Sequence, residues 1–238
     1  MLKINHLTKH YPGSNKGVTD LSLHIAPGDL YAFIGHNGAG KTTTLKAVCG
    51  VHSFDRGEIL VNGISMGEKP LEAKAQLAYI PDNQDLFDYL TGIQYLNFVA
   101  DVFAMDAGAR TQNIQKYADA FEITPALGDL ISSYSHGMKQ KLAIVSALLH
   151  QPKLLVLDEP FVGLDPKAAA TLKGFMHELT DQGGAVFFST HVLEVAQKLC
   201  NKVAIIKDGK LVTCGNMNDV VHPGSSLEEL FLEVATDA

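Results

Sequence analysis

Residues 35 to 43 read GHNGAGKTT, between the apolar run Leu30-Tyr31-Ala32-Phe33-Ile34 and the helix-prone stretch Leu45-Lys46-Ala47-Val48. Gly35, four free positions, Gly40, Lys41 and a hydroxyl at Thr42 form the spacing of an anion-cradling loop, in which consecutive backbone N–H groups curl around phosphates. Side chains at the glycines would block that approach. The following helix turns its positive dipole end toward the anion, Lys41 reaches the β- and γ-phosphates, and the Thr42 hydroxyl can coordinate Mg²⁺. Asn37, Gly38, Ala39, Gly40, Lys41, Thr42 and Thr43 are therefore the candidate nucleotide-binding residues.

A second chemical pair stands at the end of LLVLDEP, residues 154 to 160. Four apolar residues followed by two carboxylates describe the C-terminal edge of a buried strand, where open α/β sheets bind ligands. Asp158 is placed to hold Mg²⁺, directly or through its waters, opposite Thr42. Glu159 is placed to accept a proton from, or to orient, the water that attacks a γ-phosphate. Each segment alone admits a plain reading, a glycine-rich turn or a solvated pair of acids; together they point to nucleotide hydrolysis.

The surrounding elements are those such a site needs. Short β-type segments appear at Leu2 to Leu7, Leu21 to Ile25, Leu30 to Ile34 and Gly57 to Val61, punctuated by Pro12-Gly13, Pro27-Gly28 and Asn62-Gly63 turns. From Leu90 to about His150 apolar residues recur at helical spacing (Ile93, Leu96, Val99; Ile114, Tyr117, Phe121), which marks a helical insertion. Strand–helix alternation then returns, with strands at Lys153 to Leu157, Ala185 to Ser189 and Lys202 to Lys207 and helices starting near Pro166 and His191. Leu227, Leu230, Phe231 and Val234 place a docking helix in the tail.

Composition narrows the class. In 238 residues, 46% hydrophobic content can build a sizeable core, and a net charge of −7 without a Lys/Arg run argues against nucleic acid as a partner. Cys49, Cys200 and Cys214 show no metal-ligand spacing and are expected to be reduced core thiols. No uncharged run approaches the ~20 apolar residues of a membrane span. Any membrane role is expected to come through a partner.

At YSHGMKQKLAIVSALL, residues 134 to 149, the resemblance becomes specific. With the two segments above, in order over nearly the full length, the chain resembles the ATP-binding subunit of an ABC transporter, closest in pattern to Ecs-type and bacitracin-type export ATPases. The segment stands where that family has its LSGGQ signature. Tyr134, His136 and Met138 replace the usual Leu, first Gly and Gln, while Ser135 and Gly137 are kept. The resemblance implies an α/β fold with a P-loop NTPase (RecA-like) core, an antiparallel β subdomain and a helical subdomain. It divides the chain into 1–81 with 151–221 as core and β subdomain, 82–150 as helical subdomain, and 222–238 as a helical tail.

The family's functional residues carry over position by position. Glu159, His191 and Lys41 are the implied catalytic residues, with His191 of Ser189-Thr190-His191 touching the γ-phosphate. Tyr11 resembles the aromatic that stacks on adenine, and Ser135 and Gly137 would complete the site of a second cassette. Asp165 of Gly163-Leu164-Asp165-Pro166 resembles the residue that communicates across such a dimer, though a plain helix cap fits it as well. The plain alternatives are a strand-end tyrosine packed on the core for Tyr11 and a buried, hydrogen-bonded histidine for His191. His136 either crowds the phosphate position or faces solvent at a helix start.

Where relatives have Gln after Tyr-x-Pro, Asp82 follows Tyr79-Ile80-Pro81. It joins Thr42 and Asp158 as an implied Mg²⁺ ligand, with Gln84 as a substitute if the loop shifts. Leu86, Phe87 and Tyr89 match the groove that receives a cytoplasmic helix of a membrane subunit, or are core. The implied cofactors are ATP and Mg²⁺, and the implied partners are membrane-spanning permease subunits and a second cassette, identical or different. The implied location is the cytoplasmic face of the cell membrane, and the implied direction of transport is export. A degenerate scaffold cassette, a soluble ABC ATPase not linked to transport and a small-molecule kinase are the competing readings.

Overall fold

The computed structural model describes residues 1–13, 16–221 and 224–236, so residues 222, 223, 237 and 238 of the expected tail lie outside the described residues. The chain divides into two compact units. The first comprises Met1–Tyr79, Lys153–Pro160 and the chain from Met176 onward; the second comprises Ile80–Pro152 and Phe161–Phe175.

Along the chain, strands β1 (Leu2–His10), β2 (Gly17–Ile25) and β3 (Leu30–Ile34) lead into helix α1 (Lys41–Val48). Then follow β4 (Arg56–Val61), β5 (Ile64–Ser65), α2 (Pro70–Lys74) and β6 (Leu77–Ile80). Helices α3 (Gly92–Val102), α4 (Ala107–Ala120) and α5 (His136–Leu148) come next, with two short 3₁₀ turns between α4 and α5. After them β7 (Leu154–Asp158), α6 (Pro166–Asp181), β8 (Ala185–Thr190), α7 (Leu193–Leu199), β9 (Lys202–Lys207) and β10 (Lys210–Asn216) lead to α8 (Met217–Val220) and α9 (Leu227–Thr236).

Two sheets follow from two hydrophobic patterns. In β1 and β2 buried and exposed residues alternate, and the antiparallel register sets Leu2 opposite Ile25, Ile4 opposite Leu23 and Leu7 opposite Leu21, all on one buried face. With β4 and β5 they form a sheet in the order β2-β1-β4-β5. In β3, β7 and β8 every residue is buried, as strands covered on both faces require. These pair in parallel inside the second sheet, ordered β10-β9-β3-β8-β7-β6. Phe33 and Phe187 pack at 5.3 Å between ring centroids within the core that also buries Leu45, Val48 and Val156.

In the second unit α5 buries nearly every residue from Leu142 to Leu148, as a helix central to its unit does. Tyr134, just before it, is buried and donates its hydroxyl to the Ala126 carbonyl at 2.6 Å. A Cβ on Gly92 would lie 2.3 Å from that hydroxyl oxygen. A glycine on α3 therefore leaves the room that the Tyr134 hydroxyl occupies.

Residues 80–81 and 151–152 fall in the second unit rather than the core, and a longer difference concerns residues 161–175, which the division expected from sequence leaves with the core. They belong to the helical unit, held there by Lys167 on Glu122, Lys141 on Asp165 at 2.7 Å and Phe175 against Tyr117 at 5.2 Å. Cys214 also departs from expectation: it is exposed, whereas Cys49 and Cys200 are buried and burial pushes both thiols up. The helix expected near His191 starts at Leu193.

Candidate active site

The phosphate-loop sequence turns between β3 and the N-terminus of α1. Gly35 is fixed by space, since a Cβ there would lie 2.5 Å from the Ile206 carbonyl oxygen. Gly40 caps α1 at φ 111°, a left-handed conformation costly for other residues. No side chain caps that helix and no acid stands in its first turn. Its amide end thus carries no competing anion, the arrangement that attracts phosphate. Asn37 and Gly38 are exposed, Ala39 is buried, Thr42 is exposed and Thr43 half-buried.

Lys41 is buried, and its ammonium donates to the carbonyls of Gly35 at 2.7 Å and His36 at 3.3 Å. Burial lowers its pKa, against the upward pull of Glu159 and then Asp158. A cation held by two carbonyls in a desolvated loop gains from a phosphate arriving beside it. Tyr11, directly after β1, sets its hydroxyl 3.5 Å from the Thr43 hydroxyl, with the His52 ring edge-on at 6.3 Å and the Lys9 ammonium 5.7 Å from its ring centre.

The two acids emerge at the end of β7, opposite the end of β8, in a register that pairs Asp158 with Ser189. The Ser189 hydroxyl donates to Asp158 Oδ1 at 2.5 Å and accepts the backbone N–H of Glu159 at 3.1 Å. One side chain therefore orients both acids. Asp158 is buried, and its second oxygen, Oδ2, has no hydrogen-bond partner. A buried carboxylate oxygen left open in this way suits a cation, so the donor chemistry of Asp158 fits a Mg²⁺ ligand.

Glu159 sits at φ 49°, a left-handed conformation rare outside glycine, at a cost of order 1–3 kcal/mol. The reward for that strain is visible. Its Oε2 lies 3.0 Å from His191 Nδ1 and accepts the His191 backbone N–H at 3.3 Å.

The second unit carries the remaining candidates. Ser135 caps α5, accepting the Met138 N–H at 3.3 Å. Gly137 approaches Gly163, whose carbonyl would lie 3.1 Å from an added Cβ. His136 is exposed yet not simply solvated: a Cβ on Gly163 would lie 2.7 Å from its ring, so the ring sits over that glycine. It also lines a cleft of about 430 Å³ with Gln84, Leu86 and Lys139. Asp165 is held by Lys141 and caps α6 through the Ala168 N–H at 2.8 Å, so it has the capping contact and an ion pair together.

Asp82 is exposed after β6, and the described residues contain no group of three His, Cys, Asp or Glu side chains able to hold a metal. Gln84 turns its amide onto the carbonyls of Pro81 and Asp82 at 3.1 and 3.2 Å, closing its own loop. Phe87 and Tyr89 are exposed and stack at 5.8 Å, with Phe87 also against Tyr95 and Phe98; Leu86 is half-buried. The residue that sequence reasoning missed is Ser189. Its signal is a hydroxyl near the end of an otherwise apolar buried strand.

Residues 18–162, more than half of the chain, match the family model described as ABC transporter. The chain belongs to the ABC transporter family. It is the ATP-binding component, an ABC ATPase. It is 30% identical to the ABC-type transporter ATP-binding protein EcsA of Bacillus subtilis over 241 residues, covering 100% of this chain and 97% of that protein. A solved structure described as the ATP-binding subunit of an ABC transporter superposes with a TM-score of 0.94 at 32% identity, covering 99% of both chains. The ABC cassette MJ0796, in a dimeric post-hydrolysis state bound to ADP and Pi, shares the fold at a TM-score of 0.82 and 20% identity, covering 92% of this chain and 99% of that one. The core of this ABC ATPase is thus a sheet whose β9, β3, β8 and β7 are parallel, with its candidate chemistry at the C-terminal ends of β3, β7 and β8.

Proposed function

We propose that this ABC ATPase hydrolyses ATP at the ends of β3, β7 and β8 and couples binding and hydrolysis to transport by separate membrane-spanning permease subunits. The single observation that carries the catalytic part is the Glu159 carboxylate, held on a strained backbone and engaged by His191, beside a buried carboxylate, Asp158, whose Oδ2 has no hydrogen-bond partner. Mg²⁺, when bound by Thr42 and Asp158, supplies charge neutralisation of the phosphates. Lys41 binds the β- and γ-phosphates, the α1 amides orient them, and His191 positions the carboxylate. Glu159 accepts the proton of the attacking water; the water oxygen bonds to the γ-phosphorus as the bridging oxygen leaves on ADP. Tyr11 offers its ring to adenine.

Ser135 and Gly137, at the N-terminus of α5, would close over ATP held by a second cassette, as the dimeric state described for MJ0796 suggests. The exposed Phe87–Tyr89 pair, with Leu86, supports docking of a permease helix at the cytoplasmic face of the membrane. No helix among the described residues is long and apolar enough to cross a membrane. Export is the direction we infer, from the likeness of GHNGAGKTT and DEPFVGLDP to export-type branches. One observation favours a second reading, a cassette that binds ATP while a different partner hydrolyses it: Asp82 stands in the place of Gln, and Gln84 is spent on its own loop.

The test is ATPase turnover of the purified chain against its own concentration, with Glu159→Gln as control. The catalytic reading expects turnover to rise faster than linearly and to fall by about 10²-fold or more in the control, which still binds ATP. ATP binding with no turnover at any concentration would favour the second reading.

A further inference from the structure

Beyond the grip of its own Lys41 on the Gly35 and His36 carbonyls, the phosphate loop is held from outside at three places, and the third belongs to the C-terminal helix. Its first residue, Gly35, lies flush against the carbonyl and side chain of Ile206 on β9. Near its end, the Ala39 carbonyl accepts the Gly209 N–H from the turn between β9 and β10 at 2.9 Å. Between these anchors run His36, Asn37 and Gly38, all exposed, with little burial to define their course. The ring of His36 meets the ring of Phe231 on α9, with centroids 4.7 Å apart and planes tilted by 49°.

Helix α9 is itself tied down. Leu227 is fully buried and its N–H donates to the Gln197 side-chain oxygen on α7 at 2.9 Å. At the far end Lys207 reaches the Val234 carbonyl at 2.8 Å. Lys207 directly follows Ile206, so β9 supports the loop with one residue and the helix with the next.

We propose that Phe231 is a positioning residue for the phosphate loop, holding His36 and hence the backbone of residues 36–38 in the course that receives phosphate, so that nucleotide binding and α9 docking are coupled. The physical argument is preorganisation. A loop that must order its amides around an anion binds more weakly than one already ordered. An aromatic pair of this geometry supplies a factor of roughly three to ten. Coupling between two binding events is reciprocal, so nucleotide must in turn hold α9 more firmly in place.

The proposal rests on the reading of GHNGAGKTT as the nucleotide loop, and the experiment separates the two. ADP affinity in the presence of Mg²⁺ is measured by calorimetry for the full chain and for Phe231→Ala, Phe231→Tyr, Glu228→Gln and Lys41→Ala. Amide hydrogen exchange over residues 227–236 is followed with and without ADP. Phe231→Ala is expected to bind ADP about threefold to tenfold more weakly, while Phe231→Tyr and the exposed-surface control Glu228→Gln bind as the parent does. ADP is expected to slow exchange in α9 of the parent and not of Phe231→Ala. Unchanged affinity in Phe231→Ala, or α9 exchange in the parent that ignores ADP, would overturn the proposal; the second arm needs no variant to fold. Parent-like ADP binding by Lys41→Ala would instead overturn the loop assignment itself, and this proposal with it.

Discussion

His191 Nδ1 lies 3.0 Å from Glu159 Oε2, and the same oxygen accepts the His191 backbone N–H at 3.3 Å. The glutamate is largely buried, 14% exposed, and the histidine is 61% exposed. The contact therefore fixes the carboxylate from its solvent side, while the Glu159 N–H is fixed from below by Ser189. The Glu159 backbone is left-handed, and its carboxylate reaches the residue that directly follows β8. One backbone hydrogen bond and a close ring contact from the same neighbouring residue offset that strain.

His191→Ala keeps the backbone donor and removes the ring. A hydrogen bond to a carboxylate contributes about 1.5–3 kcal/mol, so turnover is expected to fall by roughly tenfold to a hundredfold if this contact holds the reactive geometry. Steady-state phosphate release, read beside ADP affinity, checks this. Equal losses in binding and turnover would remove His191 from the role of positioning Glu159.

Ser189→Ala strips the Asp158 carboxylate of its donor at Oδ1 while Oδ2 already has none. A buried carboxylate without partners is costly, and a loss of about 1.5–3 kcal/mol of stability is expected without Mg²⁺. Denaturant unfolding of the nucleotide-free chain measures it. Turnover is expected to fall in the same variant, since the Glu159 N–H loses an acceptor too.

Gly163 is tested against His136. Gly163→Ala places a methyl 2.7 Å from the His136 ring at φ 79°, so the single substitution is expected to destabilise by about 1–3 kcal/mol. His136→Gly removes the clash but leaves the backbone strain. A double-mutant cycle by chemical denaturation should recover part of the loss, and strict additivity would show that the ring does not occupy that space.

Asp165 offers a pH signature. The Lys141 ammonium, with the Ala168 N–H, holds its carboxyl below the ordinary value of 3.8. A lowered folded pKa means stability that is complete above 3.8 and lost as pH falls through the folded value. Asp165→Asn is therefore expected to unfold more easily than the parent at neutral pH, and the gap in denaturation midpoint should close in acid. A gap independent of pH would assign the loss to the Asp165 cap geometry alone.

Strong local patterns were legible in the residues. β3, β7, β8 and β9 declare themselves as short apolar runs, and the phosphate loop and Asp158-Glu159 sit at strand ends because parallel strands present their C-terminal edges to ligands. Weak patterns were not. β6 is an apolar run of only four residues cut short by a proline, and β10 alternates exposed and half-buried positions as an edge strand does, so neither carries a long apolar run to find. The segment 161–175 reads as part of the core because it follows the acidic pair in sequence, yet its side chains pair with Glu122, Lys141 and Tyr117.

By itself the sequence determined which chemistry this chain carries: residue types at fixed short spacing specify an anion loop, an acidic pair and a signature segment, since local backbone geometry follows from neighbours a few residues away. Only the tertiary structure decided that Ser189 holds both acids, that Tyr134 rests over Gly92, that His136 covers Gly163 and that Phe231 meets His36. These contacts join residues from 27 to 195 positions apart in the chain. Side-chain packing at that separation depends on how whole elements come together, which no local pattern encodes.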